Sequence, residues 1–172
     1  MRNANEGDAT WLASEEIQSG AEAMMAELGI TQDVTLQEMI ELVSQRVGKP
    51  IRVLALGNDE WNILTGCMLD FGEFFGILIR SNDAAFYQIH NIAHELAHML
   101  WGHPAVKWEA PDASGPNAYQ GTVIHARAMH RPDGKSLSRE NMIREGEAEA
   151  LAHLLAQALL RPKYVADERI FG

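Results

Sequence analysis

His94, Glu95 and His98 stand in the pattern His-Glu-x-x-His, inside a stretch of helical periodicity. Residues four apart lie one turn apart on one face of an α-helix. Two imidazoles so placed can point at one ion, and zinc takes nitrogen ligands at about 2.0–2.1 Å. Glu95 lies about 100° round the helix from His94, which sets it beside such an ion rather than on it. There it can hydrogen-bond a water whose pKa zinc lowers towards about 7. As general base, the carboxylate takes the proton while the water attacks a peptide carbonyl. A chain of 172 residues with seven histidines carries this pattern by chance in about 3% of cases. The context narrows it further. Ile89, Ile92, Ala93, Leu96, Met99 and Leu100 form one broad apolar face of the helix, and His90, His94 and His98 occupy the other side. Solvated surface histidines are the competing reading. His90 reads either as lining the cleft or as an outlying, exposed residue.

A catalytic zinc site has a third protein ligand and an open position. The last helical stretch offers Glu145, Glu147 and Glu149. Glu145, Ala148, Glu149 and Ala152 share a face that Leu155, Ala156 and Leu159 continue. Two carboxylates on a small, apolar face are costly unless paired or metal-bound. Glu147 points roughly the other way and reads as a surface residue. An ordinary charged first turn, favoured by the helix dipole, is the alternative, but Glu145 and Glu149 lie beyond the first turn.

His94-Glu95-Leu96-Ala97-His98 with Leu100, Trp101, Gly102 and His103, followed by Glu145-x-x-Ala148-Glu149-x-Leu151-Ala152, resembles the ImmA/IrrE family of zinc metallopeptidases. The resemblance covers roughly residues 35–162. That family's second motif runs Glu-x-x-Ala-(Asn/Asp)-x-Phe-Ala; here Glu149 stands at the Asn/Asp position and Leu151 at the Phe. A second register also fits, with Glu149, Ala152, Leu155 and Ala156 in the motif positions. The third ligand is therefore Glu145 or Glu149. The preferred assignment is Glu145 as ligand, with Glu149 one turn on, orienting a histidine. The resemblance implies a zincin-like fold, a Zn2+ cofactor and a regulatory protease. Its substrate would be a protein such as a helix-turn-helix repressor, in stress, mobile-element or toxin–antitoxin control. The chain shows no helix-turn-helix of its own, so DNA binding would lie in the partner.

The elements that must position these residues are legible in outline. Ile17, Ala21, Met24 and Leu28 mark an amphipathic helix from Ser14 to Leu28, after a polar segment, residues 1–12, that reads as frayed and flexible. Thr35 and Glu38 form a capping-box pattern for a second helix, which Gly48 and Pro50 end. Ile51–Leu56, Ile63–Phe71 and Phe74–Arg80 read as strands, with a hairpin at Asp70 to Gly72. Ser81, Asn82 and Asp83 offer N-caps for the His-Glu-x-x-His helix, about Ala84–Trp101. Ser138 does so for the last, to about Leu160. The expected fold is α+β and a single domain over 1–172: two N-terminal helices, a small, mostly antiparallel sheet, the His-Glu-x-x-His helix and a C-terminal helix carrying the third ligand. Residues 102–135 hold four of the six prolines and read as a long active-site loop. Its His103, Tyr119, His125, Arg127 and His130 are candidates for stabilising an oxyanion.

Composition excludes some functions. The apolar fraction of 47% fills one core, and a net charge of −10 argues against nucleic-acid or anionic-membrane binding. The lone Cys67 excludes an internal disulfide and reads as a buried structural thiol. No apolar segment resembles an export signal or a membrane span, so a cytoplasmic location is expected. The expected substrate is one protein partner cut at few sites; Phe74–Arg80, if it lies at the sheet edge, would hold an extended segment by strand addition. The rival readings are a non-proteolytic zinc-binding sensor or interaction module, a toxin component using the same metal site, and another metal-dependent hydrolase.

Overall fold

The computed structural model describes residues 5–30, 34–56, 66–107 and 139–160. Helix α1 (Asn5–Leu28) starts well before Ser14, so the polar segment expected to fray is helical from Asn5 onward. Once a nucleus exists, each added residue gains one hydrogen bond for one residue fixed, against about three fixed for the first bond. Helix α2 (Leu36–Val47) is fixed at both ends by its own sequence. The Thr35 hydroxyl accepts the Glu38 N–H at 3.2 Å, and the Glu38 carboxylate accepts the Thr35 N–H at 2.7 Å, a reciprocal cap. Gly48 closes the helix in the left-handed region, φ 71°, where a side chain would be strained.

Strands β1 (Ile51–Leu56), β2 (Gly66–Asp70) and β3 (Phe75–Arg80) form a small mixed sheet, with the two-residue β4 (Val106–Lys107) beside β2. The order is β1-β3-β2-β4. β2 and β3 make the expected antiparallel hairpin, closed by the Phe71 N–H to Phe74 carbonyl bond of 3.0 Å. β1 runs parallel to β3, and β4 parallel to β2. The sheet is thus mixed rather than mostly antiparallel, and β3 is central rather than at an edge. Burial explains the order. Gly76–Ile79 are buried without alternation, as a strand covered on both faces requires. In β1, by contrast, Arg52 and Ala55 are exposed and Ile51, Val53 and Leu54 half-buried, which suits an edge.

Helix α3 (Ala85–Leu100) lies against β2, β3 and α2, and Ile92, Ala93, Leu96, Ala97 and Met99 are buried in the core. Its N-cap position is Ala84, without a side-chain cap. Asp83, an expected cap, is held instead by Arg80 at 2.9 Å, and Gln88 donates to the carbonyls of Arg80, Ser81 and Asp83. Helix α4 (Arg139–Leu160) packs on the other side of α3, and α1 packs on α4. Ala148, Leu151, Ala152, Leu155 and Ala156 form the buried stripe of α4; three alanines at four-residue spacing let its backbone come close to its neighbours. No helix among the described residues is long and apolar enough to cross a membrane.

Candidate metal centre

The pairing of α3 with α4 converts two separate sequence motifs into one cluster. His94 and His98 point the same way from successive turns of α3, their Nε2 atoms 3.1 Å apart. Glu145 reaches across from α4. One carboxylate oxygen lies 3.3 Å from His94 Nε2 and the other 3.2 Å from His98 Nε2. An ion bonded at about 2.0–2.1 Å in tetrahedral geometry requires its ligand atoms about 3.3 Å apart. The two imidazole nitrogens lie close to that spacing with the carboxylate facing both, and His94, His98 and Glu145 can together hold a metal ion. Two imidazole nitrogens and a carboxylate are also the donor set that suits zinc and similar divalent ions.

Charge and burial reinforce one another here. Burial acts to lower the His94 pKa, but the Glu145 hydrogen bond and the charges of Glu95, Glu145 and Glu149 outweigh it, and the net shift is upward. Burial acts to raise the Glu145 pKa, yet its bonds to His94 and His98 and their charge hold the carboxyl well below the usual carboxylate range. Without metal the cluster thus keeps an ionised carboxylate against a histidine that holds its proton to higher pH than usual.

Around this centre lie three further carboxylates. Glu95 is buried, with 5% of its surface exposed. A methyl group added at Gly66, the first residue of β2, would meet a Glu95 carboxylate oxygen at 3.4 Å and the Asn91 Cβ at 3.3 Å. The start of β2 thus lies directly against Glu95 and Asn91. Glu149 is 58% exposed and bridges two histidines, 3.2 Å from His94 Nδ1 and 3.5 Å from His90 Nε2. It touches the outward nitrogen of His94, whereas Glu145 touches the inward nitrogens of both candidate ligands.

Glu147 departs from the sequence reading. Expected on the surface, it is only 25% exposed and accepts from His103 Nε2 at 3.0 Å. His103 in turn lies 2.8 Å from His98, Nδ1 to Nδ1. The end of α3 explains this placement. Gly102 adopts φ 69°, the His103 N–H bonds the His98 carbonyl and the Gly102 N–H bonds the Met99 carbonyl. This is a Schellman motif, in which the two residues at positions 98 and 103 are brought together. Burial, the nearby His98 and Arg144 lower the His103 pKa, against the opposing pull of Glu147. The sequence signal was present in Trp101, Gly102 and His103; what it lacked was the α3–α4 crossing that brings Glu147 to the same place.

Comparison with protein-family models, with curated proteins and with solved structures finds no match to this chain. The site's reading therefore rests on its geometry and on the motifs themselves. Tyr119, His125, Arg127 and His130 lie outside the described residues, as do Ser138 and most of the expected 102–135 loop. Cys67 is buried in β2.

Proposed function

We propose that the chain is a zinc-dependent endopeptidase with a zincin-like site, in which His94, His98 and Glu145 hold the metal and Glu95 is the general base. The observation that carries this reading is the convergence of His94 and His98 Nε2, 3.1 Å apart, on the Glu145 carboxylate, whose two oxygens lie 3.3 Å from the first and 3.2 Å from the second. Buried Glu95 adjoins His94 in sequence. Zinc bound there would polarise a carbonyl and acidify a water. The chain's own residues supply the rest. Glu95 accepts a proton from a site screened from bulk solvent, where its charge acts strongly. Glu149 accepts from His94 Nδ1, which leaves the Nε2 lone pair directed inward. Because β3 is central, β4 pairs only with Leu69 and Asp70 of β2, and the Gly66 end of β2 lies against Glu95, an extended substrate segment would run along Gly66 to Met68 of β2 rather than along β3.

The resemblance to the ImmA/IrrE family supports a regulatory protease that cuts one cytoplasmic protein, such as a helix-turn-helix repressor. A net charge of −10 suits a basic partner of that kind. The test is incubation of the zinc-loaded chain with casein, with random peptides and with any DNA-binding regulator encoded beside it, each with and without chelator. Chelator-sensitive cutting of the regulator at one or a few sites is the expected result. Rapid loss of casein and peptides alike would contradict the narrow substrate and favour a toxin-like protease. Zinc occupancy without cleavage of any of them would favour a zinc-binding sensor or interaction module.

A further inference from the structure

We infer that His103 and Glu147 form a positioning relay that fixes the tautomer and the ring orientation of His98. The inference rests on the reading of His98 as a metal ligand. A histidine that offers Nε2 to a metal must carry its proton on Nδ1. His98 Nδ1 faces His103 Nδ1 at 2.8 Å, so His103 must accept there and carry its own proton on Nε2. That nitrogen faces Glu147 Oε2 at 3.0 Å, a carboxylate oxygen that accepts. One assignment of protons satisfies all three groups: His98 donates to His103, and His103 donates to Glu147. The opposite assignment has His103 donating from Nδ1 to His98, which removes the proton from His98 Nδ1 and places it on the nitrogen that must bind the ion.

The backbone holds the relay in place independently of the side chains. The Schellman turn at Gly102 ties the His103 N–H to the His98 carbonyl at 2.9 Å. In such turns the residues at these two positions commonly share an apolar contact; here two imidazoles make a hydrogen bond. Trp101 Nε1 donates to the Glu147 carbonyl at 3.0 Å, so Glu147 is gripped through its main chain by Trp101 and through its side chain by His103. The two candidate histidine ligands are thus supported differently. His94 leans on exposed Glu149, whereas His98 leans on His103, which is 9% exposed, and on Glu147 behind it. Water competes for the first support and far less for the second, so the His103–Glu147 relay contributes more to metal binding.

The experiment uses the full chain as wild type, His103→Ala, His103→Asn, Glu147→Gln and Glu149→Gln, each stripped of metal and checked for fold by circular dichroism. Zinc is titrated against a chromophoric chelator, cobalt is bound to read its visible spectrum, and ring nitrogen NMR of the zinc form reads the histidine tautomers. Outer hydrogen-bond partners of metal ligands are typically worth about 10–100-fold in affinity. His103→Ala is expected near the upper end of that range and Glu147→Gln within it, with an altered cobalt spectrum in both. His103→Asn, whose amide oxygen can still accept from His98, is expected to recover most of the loss, and Glu149→Gln to cost less than His103→Ala. If His103→Ala does not fold, Glu147→Gln and His103→Asn carry the comparison. Wild-type zinc affinity, spectrum and His98 tautomer in Glu147→Gln and His103→Ala would overturn the relay while leaving the metal site intact. Failure of the wild type itself to bind zinc or cobalt would overturn both.

Discussion

Gly20→Ala, on a helix that supplies no ligand, is expected to weaken both the fold and the metal centre. In an ordinary helix interior the change from glycine to alanine stabilises by about 1 kcal/mol. At Gly20 the new methyl would stand 2.8 Å from the Trp101 indole, against about 3.5–4.0 Å for a relaxed carbon contact. Something must move by roughly 1 Å, and the indole is a rigid ring held by its bond to the Glu147 carbonyl. Overpacking of this kind costs about 1–3 kcal/mol, so the net loss is about 0–2 kcal/mol, or up to about 8 °C in melting temperature for a chain of this size. Gly146→Ala is the matched control in α4. Its methyl would meet the Ile17 Cδ1 at 3.3 Å, the end of a flexible side chain that can rotate away. There the helix gain should win, raising the melting temperature by about 2–4 °C. Thermal unfolding of the metal-free proteins measures the stability difference, and zinc titration of the same samples reads whether the displaced Trp101 disturbs Glu147. A Gly20→Ala protein as stabilised as Gly146→Ala, with wild-type zinc affinity, would show that Trp101 yields freely and that the reasoning is wrong.

Glu145→Gln should weaken zinc binding by more than about 100-fold, and Glu149→Gln by about tenfold or less, because only Glu145 touches both inward nitrogens; the reverse order in a chelator competition would exchange their roles. Zinc affinity should fall as pH drops through the raised His94 pKa, since the proton and the metal compete for one nitrogen. Pairing in the metal-free protein has the opposite sense for its two partners: the His94 contribution is complete below its ordinary pKa of 6.5 and is lost as pH rises through the raised value. The Glu145 contribution is present above its ordinary 4.5 and is lost only as pH falls through its depressed value. Urea midpoints of the chelated protein should therefore show this pair contributing most between those two ordinary pKa values, and the His94→Gln, Glu145→Gln double variant should lack that component of the profile. Glu95→Gln should keep zinc and fold yet lose cleavage of any substrate found, and turnover by this variant would remove Glu95 as the base.

Much of the site was legible because its key spacings are local. The four-residue step from His94 to His98 is a property of any α-helix, and Thr35 with Glu38 announces a helix start wherever it occurs. Glu145 was singled out for a similar reason, as a carboxylate on a face of alanines and leucines. The order of the sheet was not legible in this way. Neighbouring strands pair about two-thirds of the time, which favours β1 beside β2; instead β3 stands between them, and both β2 and β3, the inner strands, have unbroken buried runs. His103 and Glu147 were missed as a pair for a related reason. The turn at Gly102 is local, but its meeting with Glu147 depends on how α3 and α4 cross, and 43 residues separate His103 from Glu147 in the chain.

The metal content of the purified chain tests the central claim most directly. Elemental analysis of the wild type beside His94→Ala and His98→Ala should find about one zinc per chain in the first and almost none in the other two, because two remaining groups do not hold zinc as three do. A wild type that takes up no zinc from a buffered supply, or variants that retain as much as the wild type, would contradict the site at its base.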